Sequence, residues 1–257
     1  MKQGPSRPNS VEKALIILLA FQADQPFWGV RELSANLGLS PATVQRTLQT
    51  LKSYQFVDQD PDTRQYRLGS IYFQFLDVLQ SSYPVARAAL PFMKKLLSLT
   101  QETVHLNVIE GNERICIDHI ESPQHLKASM PIGNRSPLYA GASSKCLLAF
   151  SARDFIDNYL QQIKLIPLTD KTIVDADKLE MEIAVTQERG YAMSLGERTP
   201  GLGSLSAPVL DHNGHILAAV SLAIPELRVN DKKHREYCIR KLRAVAHELS
   251  GTMGFRE

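Results

Sequence analysis

The sequence predicts an α+β protein in two parts, an N-terminal winged helix-turn-helix head and a larger C-terminal α/β domain with an antiparallel sheet. Three observations predict it. A short helix ending at Gly38 is followed at once by a second helix opening on Ser40-Pro41. A strand, a turn-rich tip and a returning strand follow over Phe56–Leu68. Beyond residue 85, hairpins flanked by helices replace the regular βαβ alternation of a parallel sheet.

In the head, Asn9 and Glu12 form a capping pair for a first helix whose apolar face is Ala14, Leu15, Leu18, Leu19 and Phe21. Phe27–Val30 is short, aromatic and β-branched, and reads as an edge strand. Arg31–Leu37 is the second helix, closed by Gly38 in a left-handed conformation. In the third helix Ser40 is the N-cap, Pro41 takes the first helical position, and Val44, Leu48 and Leu51 recur on one stripe. The opposite face carries Ala42, Arg46, Gln49 and Ser53, flanked by Gln45 and Thr50. Small, amide and guanidinium side chains are what a helix needs to read base edges in a major groove. Arg64 and Arg67 are expected on the return strand of the wing, within reach of phosphate or a minor groove.

Gly69 closes this unit, and an apolar helix from Ile71 to about Gln80 is expected to end at Ser81-Ser82-Tyr83-Pro84. The domain plan is thus a loose tail over 1–9, a head over 10–69, a linker helix over 70–84 and a second domain over 85–257. In that domain a helical region runs to Leu99, with Pro91 restarting it, and a hairpin pairs Thr103–Ile109 with Arg114–Ile120. Leu126–Met130 reads as a third strand and Ala142–Phe150 as a helix; Ser151–Asp154 reads as the capping box of a further helix. A helix ending at Gly190 leads to strands at Tyr191–Leu195, Ser204–Leu210 and Ile216–Ile224. Lys232–Leu249 closes the chain as a helix with Cys238, Leu242, Val245 and Leu249 on one face.

Composition narrows the classes. With 44% hydrophobic and 22% charged residues the chain can bury a core. Residues 1–69 hold eight basic and six acidic side chains, and 70–257 hold 21 of each, so the net +2 sits entirely in the head. Three scattered cysteines, Cys116, Cys146 and Cys238, suit a reducing compartment rather than a disulfide framework. The longest apolar run, Ala14–Phe21, cannot span a bilayer, and residues 1–10 lack the apolar stretch of a signal peptide, so a cytoplasmic protein is expected.

Several short motifs then fall in one order along the chain. They are Ser10–Leu15, Leu39–Arg46, Glu102–Leu106, Pro137–Ala142, Arg189–Ala192 and Ser206–Val209. Together they make the chain resemble the IclR-type bacterial transcriptional regulators over essentially its whole length. The resemblance implies a winged-helix head, a dimerising linker helix and a GAF-like effector domain. It further implies homodimers or homotetramers that bind double-stranded operator DNA under control of a small-molecule effector, often a carboxylic acid.

For the head, the expected DNA contacts are Gln45, Arg46 and Gln49 in the groove beside Ala42, with Ser40 and Thr43 near phosphates; the competing reading is a solvated face that docks protein. In the second domain, the small residues Gly141, Ala142 and Ser143 enter a helix whose free N–H groups suit an anion. The resemblance adds Ser194, Ser204, Ser221 and Ala223 to this effector pocket. Three of these depart from a small keto-acid sensor: Ser194 stands where an acid is common, Ser204 where a Cys is found and Ala223 where a second Ser is found. The competing reading is close packing of helix on sheet. Ser143, Ser144 and Lys145 do not form a Ser-x-x-Lys pair, because position 142 is Ala142, and no nucleophile elbow occurs. A metabolite-binding hydrolase or isomerase with a vestigial head is therefore the weaker alternative, and catalysis, cofactor and metal are not expected. His212 and His215 read as a hairpin tip, His105 and His119 as sheet histidines, and Glu197–Gly203 as a loop at the pocket mouth.

Overall fold

The computed structural model describes residues 8–256. It divides into two compact units, residues 1–82 and 83–257; most of the expected tail lies outside the described residues.

The first unit runs α1 (Ser10–Leu19), α2 (Val30–Leu37), α3 (Pro41–Ser53), β1 (Val57–Gln59), β2 (Tyr66–Leu68) and α4 (Ile71–Ser82). Asn9 accepts from the N–H of Glu12 at 3.0 Å while the Glu12 carboxylate takes the Asn9 N–H at 2.6 Å, a complete capping box. Gly38 sits at φ +63°, which ends α2 and lets α3 start three residues later, at Pro41. Ile17, Leu33, Val44, Leu48, Leu51, Val57 and Tyr66 from α1, α2, α3 and both strands close one core. Each such large side chain contributes roughly 1.5–3 kcal/mol on burial.

Two expectations for the head are corrected. Phe27–Val30 is not a strand. Only Trp28 pairs, exchanging two backbone hydrogen bonds with Tyr66 at 2.8 and 2.9 Å, and Val30 already belongs to α2. Arg64 is not on the return strand: it holds φ +61° in the tip, where its N–H bonds the Asp60 carbonyl, and β2 begins at Tyr66. The helix expected to end near Gln80 continues to Ser82.

The second unit opens with α5 (Pro84–Thr100), β3 (Thr103–Glu110), β4 (Glu113–Ile120) and β5 (Arg135–Pro137). It continues through α6 (Ala142–Ala149), α7 (Arg153–Gln162), α8 (Ala176–Arg189), β6 (Ala192–Leu195), β7 (Leu202–Leu210) and β8 (Ile216–Pro225). The short α9 (Glu226–Val229) and the long α10 (Lys232–Thr252) complete it. The six strands lie in the order β5-β4-β3-β8-β7-β6, and every neighbouring pair is antiparallel. Period-two alternation divides the sheet into two faces. Val104, Leu106, Leu205, Ala207, Val220 and Leu222 pack under α5 and α10. The residues between them, including His105, Asn107, Ser204, Ser206 and Ser221, stand on the opposite face, which α6 covers.

Four further expectations change. Leu126–Met130 forms no strand, because the outer edge of β4 is already taken: β5 pairs with Glu113–Ile115, and residues 133 and 134 bond both backbone groups of Cys116. The Met130 N–H is satisfied instead by His105 Nε2 at 3.3 Å. Pro91 does not restart a helix but lies inside the continuous α5, on its exposed side, where the carbonyl it leaves unpaired can face water. Ser151 caps nothing: its hydroxyl donates to the Leu147 carbonyl at 2.8 Å, and Ala152 is the N-cap of α7. Leu202 and Gly203, expected in a loop, begin β7.

Candidate functional site

On the head, the α3 residues expected to meet DNA divide by how they are held. Ala42, Arg46 and Gln49 are exposed, and Arg46 forms no ion pair among the described residues. Ser40 accepts the Thr43 N–H at 3.2 Å, and the two hydroxyls share a hydrogen bond at 2.8 Å, so both side chains are engaged in capping the helix. Gln45 is half-buried, its amide donating to the Tyr66 hydroxyl at 3.3 Å, which ties α3 to the wing. Arg67 pairs with Asp58 across the hairpin at 3.1 Å, and that guanidinium pulls the Asp58 carboxyl below its ordinary range. Sequence reasoning missed Lys13, which α1 brings to one groove with Arg46, Thr43, Thr47 and Thr50.

On the second unit, a cavity of about 110 Å³ opens on the α6 face of the sheet, room for about four waters' share of liquid volume or a small organic molecule. Gly141, Ser143, Ser194, Ser204, Ser221 and Ala223 line it. They meet because of register. Ser194, Ser204 and Ala223 stand opposite one another on β6, β7 and β8, and Ser206, Ser221 and His105 form the next row. The hydroxyls pair along these rows, Ser194 with Ser204 at 3.0 Å and Ser206 with Ser221 at 2.8 Å. Ala142 does not line the cavity; it is wholly buried, and its N–H donates to Ser204 Oγ at 3.3 Å.

The start of α6 is not a vacant anion site. The Gly141 N–H donates to Glu197 Oε2 at 2.9 Å, and Glu197 Oε1 accepts from buried Lys145 at 2.6 Å. Lys145 also reaches Glu182 at 3.4 Å, and Arg189 pairs with Glu182 at 2.9 Å, so two cations and two carboxylates balance. Thr172 Oγ1 bonds the Glu197 carbonyl at 2.7 Å and Thr169 Oγ1 the Gly196 carbonyl at 2.7 Å, which pins the segment. Glu197 thus lies at the cavity, as expected of the 197–203 segment, and is in addition a buried ion-pair partner.

His105, Arg198 and Met130 also line the cavity; Arg198 lies in the segment expected at its mouth, but none of the three was expected as an effector contact. Burial pushes His105 down to about 3, with His119 and two arginines adding repulsion. Its ring stacks on that of His119 at 5.9 Å. Behind the wall lies Arg114, with no exposed surface, bonded to Ser136, Asn107 and Asn134. Burial lowers it to about 10, with Arg198 nearby as the second cause. Arg114 and Arg198 were invisible as a pair in the sequence, 84 positions apart; only the alternation of β4 hinted that Arg114 turns inward.

Among the described residues no three His, Cys, Asp or Glu side chains gather closely enough for a metal, and no helix is long and apolar enough to cross a membrane. The three cysteines are free and buried, and burial raises Cys116 to about 11 and Cys146 and Cys238 to about 12.

A helix-turn-helix head joined to a ligand-sized cavity on an antiparallel sheet defines a metabolite-responsive DNA-binding regulator. The IclR helix-turn-helix domain matches residues 10–61, and the bacterial transcriptional regulator IclR C-terminal domain matches residues 78–251. The chain belongs to the IclR family. It is 31% identical over 253 residues to the HTH-type transcriptional regulator KdgR of Escherichia coli, covering 98% of this chain and 95% of that one. It is 29% identical to KipR of Bacillus subtilis, covering 97% and 99%. The crystal structure of Thermotoga maritima IclR superposes with a TM-score of 0.83 at 27% identity, covering 96% of this chain and 99% of that one.

Proposed function

We propose that the chain acts as a homodimer or homotetramer in the cytoplasm, with no catalytic activity, binding a palindromic operator through α3 and repressing or activating transcription according to a small acid held on the second unit. The observation that carries this reading is the exposed face of Ala42, Arg46 and Gln49 on a helix whose other face is fully committed to the core. Arg46 is the residue best placed for a bidentate contact to guanine and Gln49 for adenine. Lys13, Arg64 and the capped Ser40–Thr43 turn lie nearer the phosphates. The exposed apolar side chains of α4, Phe73, Val78 and Leu79, supply the dimer contact.

The test is operator selection from random duplexes followed by binding measurements. Arg46→Ala is expected to cost about 1–3 kcal/mol and to relax preference at one base pair. Equal binding by Arg46→Ala at every site would overturn the α3 assignment. The effector half is tested separately, by adding candidate acids to the complex and reading the shift in operator affinity.

A further inference from the structure

Two cations at the cavity have no counter-ion: Arg198, half-buried in its wall, and Arg114, fully buried behind it. The Lys145, Glu197, Glu182 and Arg189 cluster neutralises itself, but Arg114 and Arg198 form no ion pair among the described residues. Their acceptors are neutral. Arg114 Nη2 and Arg198 Nη2 both donate to the same oxygen, Asn134 Oδ1, each at 3.2 Å. Two guanidiniums sharing one amide oxygen repel each other, and charge left unpaired away from water is costly.

A second observation points the same way. His105 is 1% exposed, lines the cavity, and has an Nδ1 with no partner. Because Nε2 accepts the Met130 N–H at 3.3 Å, the neutral ring carries its proton on Nδ1. It is a buried donor without an acceptor. Beside Arg198, whose side chain packs against Gly141, the N–H groups of Gly141 and Ala142 are already taken by Glu197 and Ser204. The unmet demand for negative charge therefore lies at the side chains of Arg198 and His105 rather than at these two amides.

We propose that Arg198, backed by Arg114 and assisted by His105, holds the acid group of the effector, while Ser194, Ser204 and Ser221 take the oxygen substituents of its short chain. The ligand class is a small hydroxy or keto carboxylate. This rests on the reading of the cavity as the effector site and adds which side chains receive the charge. A guanidinium fork matches a carboxylate through two parallel hydrogen bonds and rejects the uncharged amide of the same shape.

The experiment titrates the full-length protein with lactate, pyruvate and succinate, and with lactamide and pyruvamide, reading thermal stability and calorimetric affinity. At least one acid is expected to stabilise the wild type at up to about 50 mM, with the amides inert. Arg198→Gln is expected to weaken that acid about ten- to hundredfold and Arg198→Lys to recover part of the loss. A cooperative thermal melt and an unchanged far-UV circular dichroism spectrum of Arg198→Gln without acid show that the variant is folded. Unchanged acid binding by Arg198→Gln, amides as effective as acids, or no acid stabilising the wild type would each overturn the proposal. Acid bound through Arg198 with no change in operator affinity supports this site and counts instead against the switch.

Discussion

His105 reaches the cavity from the middle of the sheet, and burial there has a measurable cost in acid. An unfolded histidine titrates near 6.5, whereas His105 in the fold is pushed down to about 3, with His119, Arg114 and Arg198 opposing its charge. Between those values the unfolded chain binds a proton that the folded chain refuses. Its contribution is therefore complete above about pH 6.5 and is lost as pH falls toward 3, with a slope of at most about 1.4 kcal/mol per pH unit. Thermal melts of wild type and His105→Gln across that range should converge as the pH is lowered. Lys145 poses the opposite problem, a charge kept in the core by its partner Glu197 at 2.6 Å. Lys145→Met alone should cost about 3–5 kcal/mol by stranding the carboxylate, and Lys145→Met with Glu197→Leu should recover much of it. Urea melts of the two variants decide this; equal losses would show that the pair is not coupled.

At the scale of elements, local chemistry accounts for most of what was legible in advance. The caps at Asn9 and Ser40, the left-handed Gly38 and Gly190, and the hairpin at Gly111 are set by residues within three or four positions of one another. Replacing Ser40 by Ala should remove about 1 kcal/mol from α3, seen as a lower denaturation midpoint of the head. Where segments answer to distant partners, the pattern misled. Leu126–Met130 alternates like a strand, yet β5 and residues 133–134 hold the edge it would need. The serines of the cavity were legible because family motifs aligned them. Glu197, Arg198, Arg114 and His105 were not, because their meaning arises only when four strands and a loop converge. Gly69 belongs to this second kind: a Cβ there would stand 2.1 Å from the Gln55 carbonyl oxygen, so the close approach of the wing to the end of α3 excludes any side chain.

For the whole molecule, charge and exposed apolar surface set how it meets its partners. A net charge of +2, with Arg67 already neutralised by Asp58, leaves few free cations on the head. Affinity for DNA should thus come from pairing two heads rather than from a polycationic surface, with a logarithmic salt slope of about −0.9 for each phosphate neutralised. Phe73 on α4 is 77% exposed, and Val11 and Leu19 on α1 are also open. Phe73→Glu should shift sedimentation toward the monomer and weaken operator binding; an unchanged assembly would show that α4 is not the contact. The three sequestered thiols have a consequence of their own. Cys146 lies on α6 three residues after the cavity-lining Ser143, and Cys116 on β4 two residues from Arg114 behind the wall, while neither meets solvent. A thiol reagent reaches them only during transient openings of the fold. Their labelling rates are therefore a built-in clock of how often the second unit breathes, and a ligand that closes the cavity slows it.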